Sequence, residues 1–540
     1  VSNLPLHPPI HIDSSETRER AHAHVLVLLG LGRHEEVLAY TAALTADPRL
    51  AWTADELRAV TLIDVGGRES HVVQLRQGLE LMRTTFPDPM PPTAYNIANG
   101  EAGLWEIAFR PHNYVEALVT ARDHQARARA AYGQVGYDPD AEPELRIQAL
   151  VNLGNSYDNL GRDVEALRAW RKALEIDPDF AMAHGNIGVA LEAVARFARD
   201  HAPMLLAQAA AALDRALAAE DQVREIGGPI ALEHFRRTRD GIGPIPSNGP
   251  ATAQPPWNDP HLAWCREHEL FLHVSPDCQR EADEHLDPLF FAGLHLGFDE
   301  PAQQRLSELC DAFNTLKRDY VSPRYLTWLV TQPHARERDA MDGVTRRVVW
   351  ADTLGMARWG VRTGVLIQAF AATTNLLDKV AGYVHRYFET DRTTKGVYFK
   401  GFWRRSRKPG EWEPQFEAAL TPPTFNRGLI ALADLACDLD EDTPLAALLQ
   451  RRHTATHRFL VAHDQLLEPH VGDWLDREEW PDLVDGTQEI LQIARAALIY
   501  LARTIDIAEA ITERDRAGQR GGPLPQLPVR CVDPDLNEIE

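Results

Sequence analysis

The chain has 540 residues, more than one ordinary core accommodates, and that length suggests two to four domains. A composition of 44% hydrophobic, 25% charged and 8% aromatic residues excludes a disordered or fibrous protein. Lys and Arg total 56 against 79 Asp and Glu, a formal charge of -23. That balance excludes a globally basic nucleic-acid coat but leaves room for a local basic patch. The 5 cysteines are odd in number, widely spaced and free of any CxxC pair, which fits a reducing cytoplasm better than a disulfide framework. The first twenty residues show no basic stretch followed by an apolar one, so no signal peptide is expected. The longest apolar runs, such as VLVLLGLG at 25–32, fall short of the roughly 20 residues that span a bilayer. The expectation is a soluble, cytoplasmic, all-α protein with no membrane association.

In chain order, the first strong signal is IQALVNLGNSYDNLGRDVEALRAWRKALEIDPDF at 147–180. Gly154, Ala166 and Ala173 are small where two antiparallel helices must approach. Leu153, Tyr157 and Trp170 fill the space between them, and Pro178 ends the second helix. This spacing resembles a tetratricopeptide (TPR) repeat. Gly188, 34 residues after Gly154, opens a second copy whose partner helix is expected at 207–217 after an insertion of about nine residues. Fainter echoes lie at 31–48 and 94–105. One repeat cannot bury its own faces, so 1–235 is expected to form a TPR-like helical superhelix. Residues 236–262 carry a Pro-, Gly-, Ser- and Asn-rich stretch and read as a linker.

The remainder, 263–515, reads as an α-helical bundle followed by a flexible tail at 516–540. A short apolar stretch, HLAWCREHELFLHVSP, should lie against one of the domains. Asp299 can cap a helix that has Pro301 at its first position. Residues 361–388 place Leu366, Phe370, Thr373, Leu377, Val380, Val384 and Tyr387 on one stripe. Further helices are expected at 425–437, from Thr443-Pro444 through PLAALLQRRHTATHRFLVAH, and at about 485–513. Only KGVYFKGFW at 395–403 looks β-like.

Phosphate-loop, nucleophile-elbow, HExxH and dinucleotide motifs are absent. Cys265, His268, His273 and Cys278 have an order that zinc could use, but no turn chemistry separates them, and no metal or cofactor is expected. The segment RRHTATH at 451–457 remains. Its Arg452 and His457 form an R-x4-H pair, a pattern that fifty arginines and 22 histidines produce about twice by chance and that occurs four times here, the others being Arg196/His201, Arg280/His285 and Arg458/His463. Context selects Arg452/His457: it follows the apolar turn LAALL inside the predicted bundle.

With WCREHELFLHVSP (264–276) and NLLDKVAGYVHRYF (375–388), the RRHTATHRFL segment (451–460) resembles the HEPN ribonuclease superfamily, in its subfamily that follows TPR repeats. His453 stands where asparagine is commoner in that R-[N/D/H]-x3-H signature. The resemblance implies a metal-independent endoribonuclease that leaves 2',3'-cyclic phosphate and 5'-hydroxyl ends, in a toxin or anti-phage defence effector. A histidine can exchange a proton near neutral pH, and an arginine supplies a permanent bidentate charge to phosphorane oxygens. His457 is the expected proton-transfer residue, Arg452 the phosphate binder and His453 a helper. Five residues turn an ideal helix by about 500°, so Arg452 and His457 would point roughly 140° apart. A broken helix or a second chain answers that. HEPN domains dimerise with two motifs facing, so a homodimer is expected.

Lys400, Arg404, Arg405, Arg407 and Lys408, with Arg451 and Arg458, are candidate RNA contacts, and Tyr398, Phe399, Trp403 and Trp412 could stack on bases. The alternative there is an amphipathic hairpin whose aromatics pack on the bundle. Asp378 and Lys379 fit a structural ion pair or an interface better than catalysis. The repeats imply a protein or peptide trigger. The rival to a nuclease is a non-catalytic scaffold that binds a protein partner or RNA.

Overall fold

The computed structural model describes residues 17–45, 47–109, 117, 120–197, 201–244, 257–275, 286–295, 300–332, 335–351, 355–390, 396–403, 414–420, 425–439, 446, 448, 450–451, 459–466, 470–471, 474–518 and 527–528. The described residues are mainly helical, and the chain divides into two compact units. The first comprises 1–157 and 166–183, the second 158–165 and 184–540.

In the first unit, successive helices share side chains. Helices Arg18–Gly30, His34–Leu44 and Ala51–Arg68 close around Val25, Val37, Leu44 and Leu57. Ala51–Arg68, Val72–Thr85 and Pro91–Phe109 close around Ile63, Leu79, Met82 and Leu104. Pro91–Phe109, Arg122–Tyr137, Pro143–Asp158 and Asp163–Ile176 contribute Ala98, Ala128, Tyr132, Leu153 and Ala169 to a third cluster. No helix buries its stripe alone, which is the expected property of a repeat array. The repeat at 147–180 is built as its spacing requires. The indole of Trp170 lies directly on Gly154, where any Cβ would collide with it, and its Nε1 donates to the Val151 carbonyl at 3.2 Å.

The second unit begins with the second copy. Helix Ala202–Ala218 contains the expected 207–217 segment and presses Leu213 onto Gly188. Helix Glu220–Ile242 bends at Gly228, whose φ of 73° suits glycine and precedes Pro229. Pro260–Glu267 is capped by Asp259, which accepts from Leu262 N at 2.9 Å. The apolar stretch after it is bent chain, not strand, with Leu270, Phe271 and Leu272 buried. Arg324 fixes it by donating to the Leu270 carbonyl at 2.9 Å while pairing with Asp287 at 2.7 Å.

The core of this unit lies among Glu300–Thr331, Val361–Phe388, Arg427–Asp438 and Trp480–Gly518. The Val361–Phe388 stripe is buried from Leu366 to Val384, with Tyr387 only half-buried, and buried Thr373 satisfies its hydroxyl on the Ala369 carbonyl at 2.8 Å. Trp480–Gly518 runs five residues beyond the expected helix at each end.

Two strand expectations are corrected. Residues 396–403 contain no strand but a tight turn, with Phe402 N donating to Tyr398 O at 2.9 Å. The helix expected to continue through FLVAH is instead β2, Phe459–His463. It pairs in parallel with β4, Leu475–Glu479, which pairs antiparallel with β3, His470–Val471, giving the order β2-β4-β3. A small β1 (Gly293–Leu294) pairs with β5 (Leu527–Pro528). Residues 245–256 of the linker, most of the tail, and Asp299 lie outside the described residues.

Candidate functional site

Arg452, His453, His457 and Arg458 lie outside the described residues, as do Arg404, Arg405, Arg407, Lys408 and Trp412. What is described is the frame on both sides of the motif. Before it, Leu448 is buried and Arg451 is half-buried. The Arg451 guanidinium meets Glu478 Oε1 at 2.6 Å, an ion pair without hydrogen-bond alignment, and lies against Gly486. A side chain at 486 would occupy its space. Burial pushes the Glu478 carboxyl above its ordinary range; Arg451 draws it down, while Asp482 and Asp476 push it up again. Arg451, expected at the RNA, therefore has its charge engaged inside the fold.

After the motif, β2 leads away with Phe459↔Leu475 and His463↔Glu479 in register with β4, which runs straight into the long Trp480–Gly518 helix. The outer side of β2 is joined to 355–358. Arg358 N donates to the Ala462 carbonyl at 2.7 Å, Asp464 N to the Met356 carbonyl at 3.0 Å, and His463 Nδ1 to the Gly355 carbonyl at 2.5 Å. His463, of the rival pair Arg458/His463, is 4% exposed, and its Nε2 is buried without a partner. It is a poor candidate for proton exchange with a substrate in solvent.

Cationic groups gather beside this strand layer. Arg358 pairs with Asp464 and lies 4.8 Å from the Trp480 ring centroid; Arg362 lies 5.9 Å from the same ring. Arg362 also donates to the Val330 carbonyl at 2.7 Å. Burial lowers its pKa, and the charges of Arg358 and Arg338 lower it further against the opposing effect of Asp342. Sequence reasoning missed this cluster because Arg358 and Arg362 are brought together with Trp480, Asp464, Val330 and Arg338 only by the fold.

In the 395–412 patch the packing alternative holds for Phe399 and Trp403. Phe399 and Trp403 are 2% and 3% exposed and pack with Phe402 and Phe416, so they cannot stack on bases; Tyr398 is exposed. Asp378 accepts from Phe399 N at 2.9 Å and Lys379 pairs with Asp319 at 2.5 Å, so both serve the packing of this region. In the cysteine–histidine group, His261 Nε2 touches Cys265 Sγ at 3.3 Å, burial pushes the Cys265 thiol up to about 12, and His273 Nδ1 is engaged by Ser275. Cys278 lies outside the described residues.

Helices dominate the described residues, with small sheets only, and define an all-α protein in which a helical bundle follows helical repeats in the chain. The family comparisons make that specific: residues 301–508 match the LA2681-like HEPN family and residues 147–180 match the tetratricopeptide repeat. Residues 301–508 are thus similar to LA2681-like HEPN domains and follow a segment similar to a TPR repeat. The HEPN match includes 452–457 and begins after 264–276, which therefore lies outside it. No curated protein matches the chain. Among the described residues, no helix is long and apolar enough to cross a membrane.

Proposed function

We propose that this protein is a metal-independent endoribonuclease whose site is Arg452, His453 and His457. The observation that carries the proposal is that RRHTATH falls inside the HEPN match. It is flanked by the Arg451–Glu478 pair on one side and by β2 on the other. In this reading the ribose 2'-hydroxyl attacks the adjacent phosphorus and the 5'-oxygen leaves with a proton. His457 exchanges protons, Arg452 holds the phosphorane oxygens and His453 orients either. Two chains meet through their HEPN domains, the repeats take a protein or peptide trigger, and the biological setting is a cytoplasmic toxin or anti-phage effector.

The test is cleavage of total bacterial RNA and tRNA by the full chain in EDTA. Wild type is expected to cut, with loss on the order of a hundredfold or more for His457→Ala and Arg452→Ala. Cleavage that requires added metal, or that survives both substitutions, contradicts the assignment. The scaffold alternative draws on Arg451, whose charge is engaged by Glu478, and on the buried aromatics of 399–403. It gains if the protein binds RNA or a partner and cuts nothing.

A further inference from the structure

Apolar side chains are strongly exposed between the helices Ala335–Thr345 and Val361–Phe388. Val349 is 99% exposed, Trp350 45% and Trp359 41%, and Val344, Val348 and Met356 are exposed with them, so the exposure is concentrated in one segment and not scattered singly. The two indoles are parallel, with ring centroids 6.2 Å apart and planes 9° from coplanarity. They are held rather than dangling. Trp350 Nε1 donates to the Thr345 carbonyl at 3.1 Å, and Val361 N donates to Thr345 Oγ1 at 3.2 Å. Next to Trp359, the Arg358 backbone is fixed to β2 through Ala462, and β2 starts two residues after His457.

Charge distinguishes this face from an ordinary protein interface, whose centre is depleted of charged residues. Residues 343–362 contain Arg346, Arg347, Arg358 and Arg362 against the single acid Asp352, in a chain of formal charge -23. Arg346 and Arg347 are exposed. Arg358 and Arg362 are engaged by Asp464, Val330 and Trp480, so the free charges here are the exposed Arg346 and Arg347, close to Trp350 in the chain. Parallel aromatic planes with exposed guanidinium groups near them are a combination that single-stranded nucleic acid can use: bases stack on the rings while phosphates meet the charges.

We propose that Trp350 and Trp359, with Arg346 and Arg347 beside them, form a platform for unpaired nucleotides of single-stranded RNA entering the cleavage motif. The choice of RNA rests on the ribonuclease reading. Duplex RNA keeps its bases stacked on each other and gains nothing from the indoles. The platform therefore gives the protein a preference for loops and tails.

The test measures binding of a fluorescent single-stranded RNA and of its duplex to the full chain, in a His457→Ala background so that RNA stays intact. Trp359→Ala and Trp350→Ala should each weaken single-strand binding about tenfold, Trp359→Phe should keep it within about threefold, and duplex binding should not move. Arg346→Ala with Arg347→Ala should flatten the dependence on log salt concentration by about one to two units. Unchanged single-strand affinity in both Trp→Ala variants, with circular dichroism showing them folded, overturns the platform. So does loss of self-association at unchanged affinity per protomer, which would make the face an interface with a second copy. Cleavage by the otherwise wild-type protein separates the two readings. Tryptophan-dependent binding without any cleavage contradicts the ribonuclease alone, whereas cleavage with tryptophan-independent binding contradicts the platform alone.

Discussion

Each unit holds a buried ion cluster whose centre is opposite in sign to the other's. In the first unit Glu101 is fully buried and receives Arg83, His124 and Arg127, whose side chains remain 42%, 20% and 47% exposed. In the second unit Arg162 is 3% exposed and meets Glu165 at 2.7 Å, Asp434 at 3.1 Å and Asp438. Around it Tyr500 donates to Glu165 and accepts from Val164 N at 3.1 Å, Arg503 pairs with Asp163, and Arg427 meets Asp158 at 3.0 Å. The difference lies in what each cluster leaves behind when its centre is removed. Two half-exposed guanidinium groups and the His124 ring can return to water; Asp434, at 4% exposure, cannot.

The largest expected effect is therefore Arg162→Ala. It strands Glu165, Asp434 and Asp438 and should cost about 3–5 kcal/mol in denaturant unfolding of the full chain. A cost under 1 kcal/mol would show that those carboxylates find water. Next comes Glu101. Burial pushes its carboxyl up, but hydrogen bonds from His124, Arg127 and Arg83 outweigh burial and hold it at about 2. The unfolded carboxyl takes its proton at higher pH than the folded one, so the ionised form stabilises the fold above about pH 4.5. That stability is lost as pH falls towards about 2. On the order of 3 kcal/mol should separate wild type from Glu101→Gln at pH 7, closing across that window. A difference independent of pH would assign Glu101 a role in packing alone. The smallest effect is Arg83→Ala, below about 1 kcal/mol, because its exposed guanidinium is screened and Arg127 and His124 remain on Glu101.

The sequence signals that held were those in which side-chain size answers to one neighbour. Gly154 is bare because Trp170 lies on it, and that requirement survives as a spacing in the chain. The Val361–Phe388 stripe held for the same reason, since a long helix packed along one face repeats its constraint every turn. The strands beside the motif had no such signature. β4 is LDREE, with no β-branched or aromatic residue, and it becomes a strand only through pairing with β2 and β3. The aromatics misled for a related reason. KGVYFKGFW and the Trp350/Trp359 region both mix cations with rings, and only the fold decides that Phe399 and Trp403 turn inward while Trp350 and Trp359 face solvent. Arg451 showed the same limit: its spacing beside Arg452 suggested RNA, whereas its partner Glu478 lies twenty-seven residues away on β4.

The central claim concerns chemistry at His457, and the ends of the cleaved RNA test it most directly. Fragments made by the full chain in EDTA should carry 2',3'-cyclic phosphate and 5'-hydroxyl termini by mass spectrometry, with a 2'-deoxy strand of the same sequence left intact and no fragments from His457→Ala. Fragments with 3'-hydroxyl and 5'-phosphate ends, or cleavage of the deoxy strand, would contradict attack by the ribose hydroxyl.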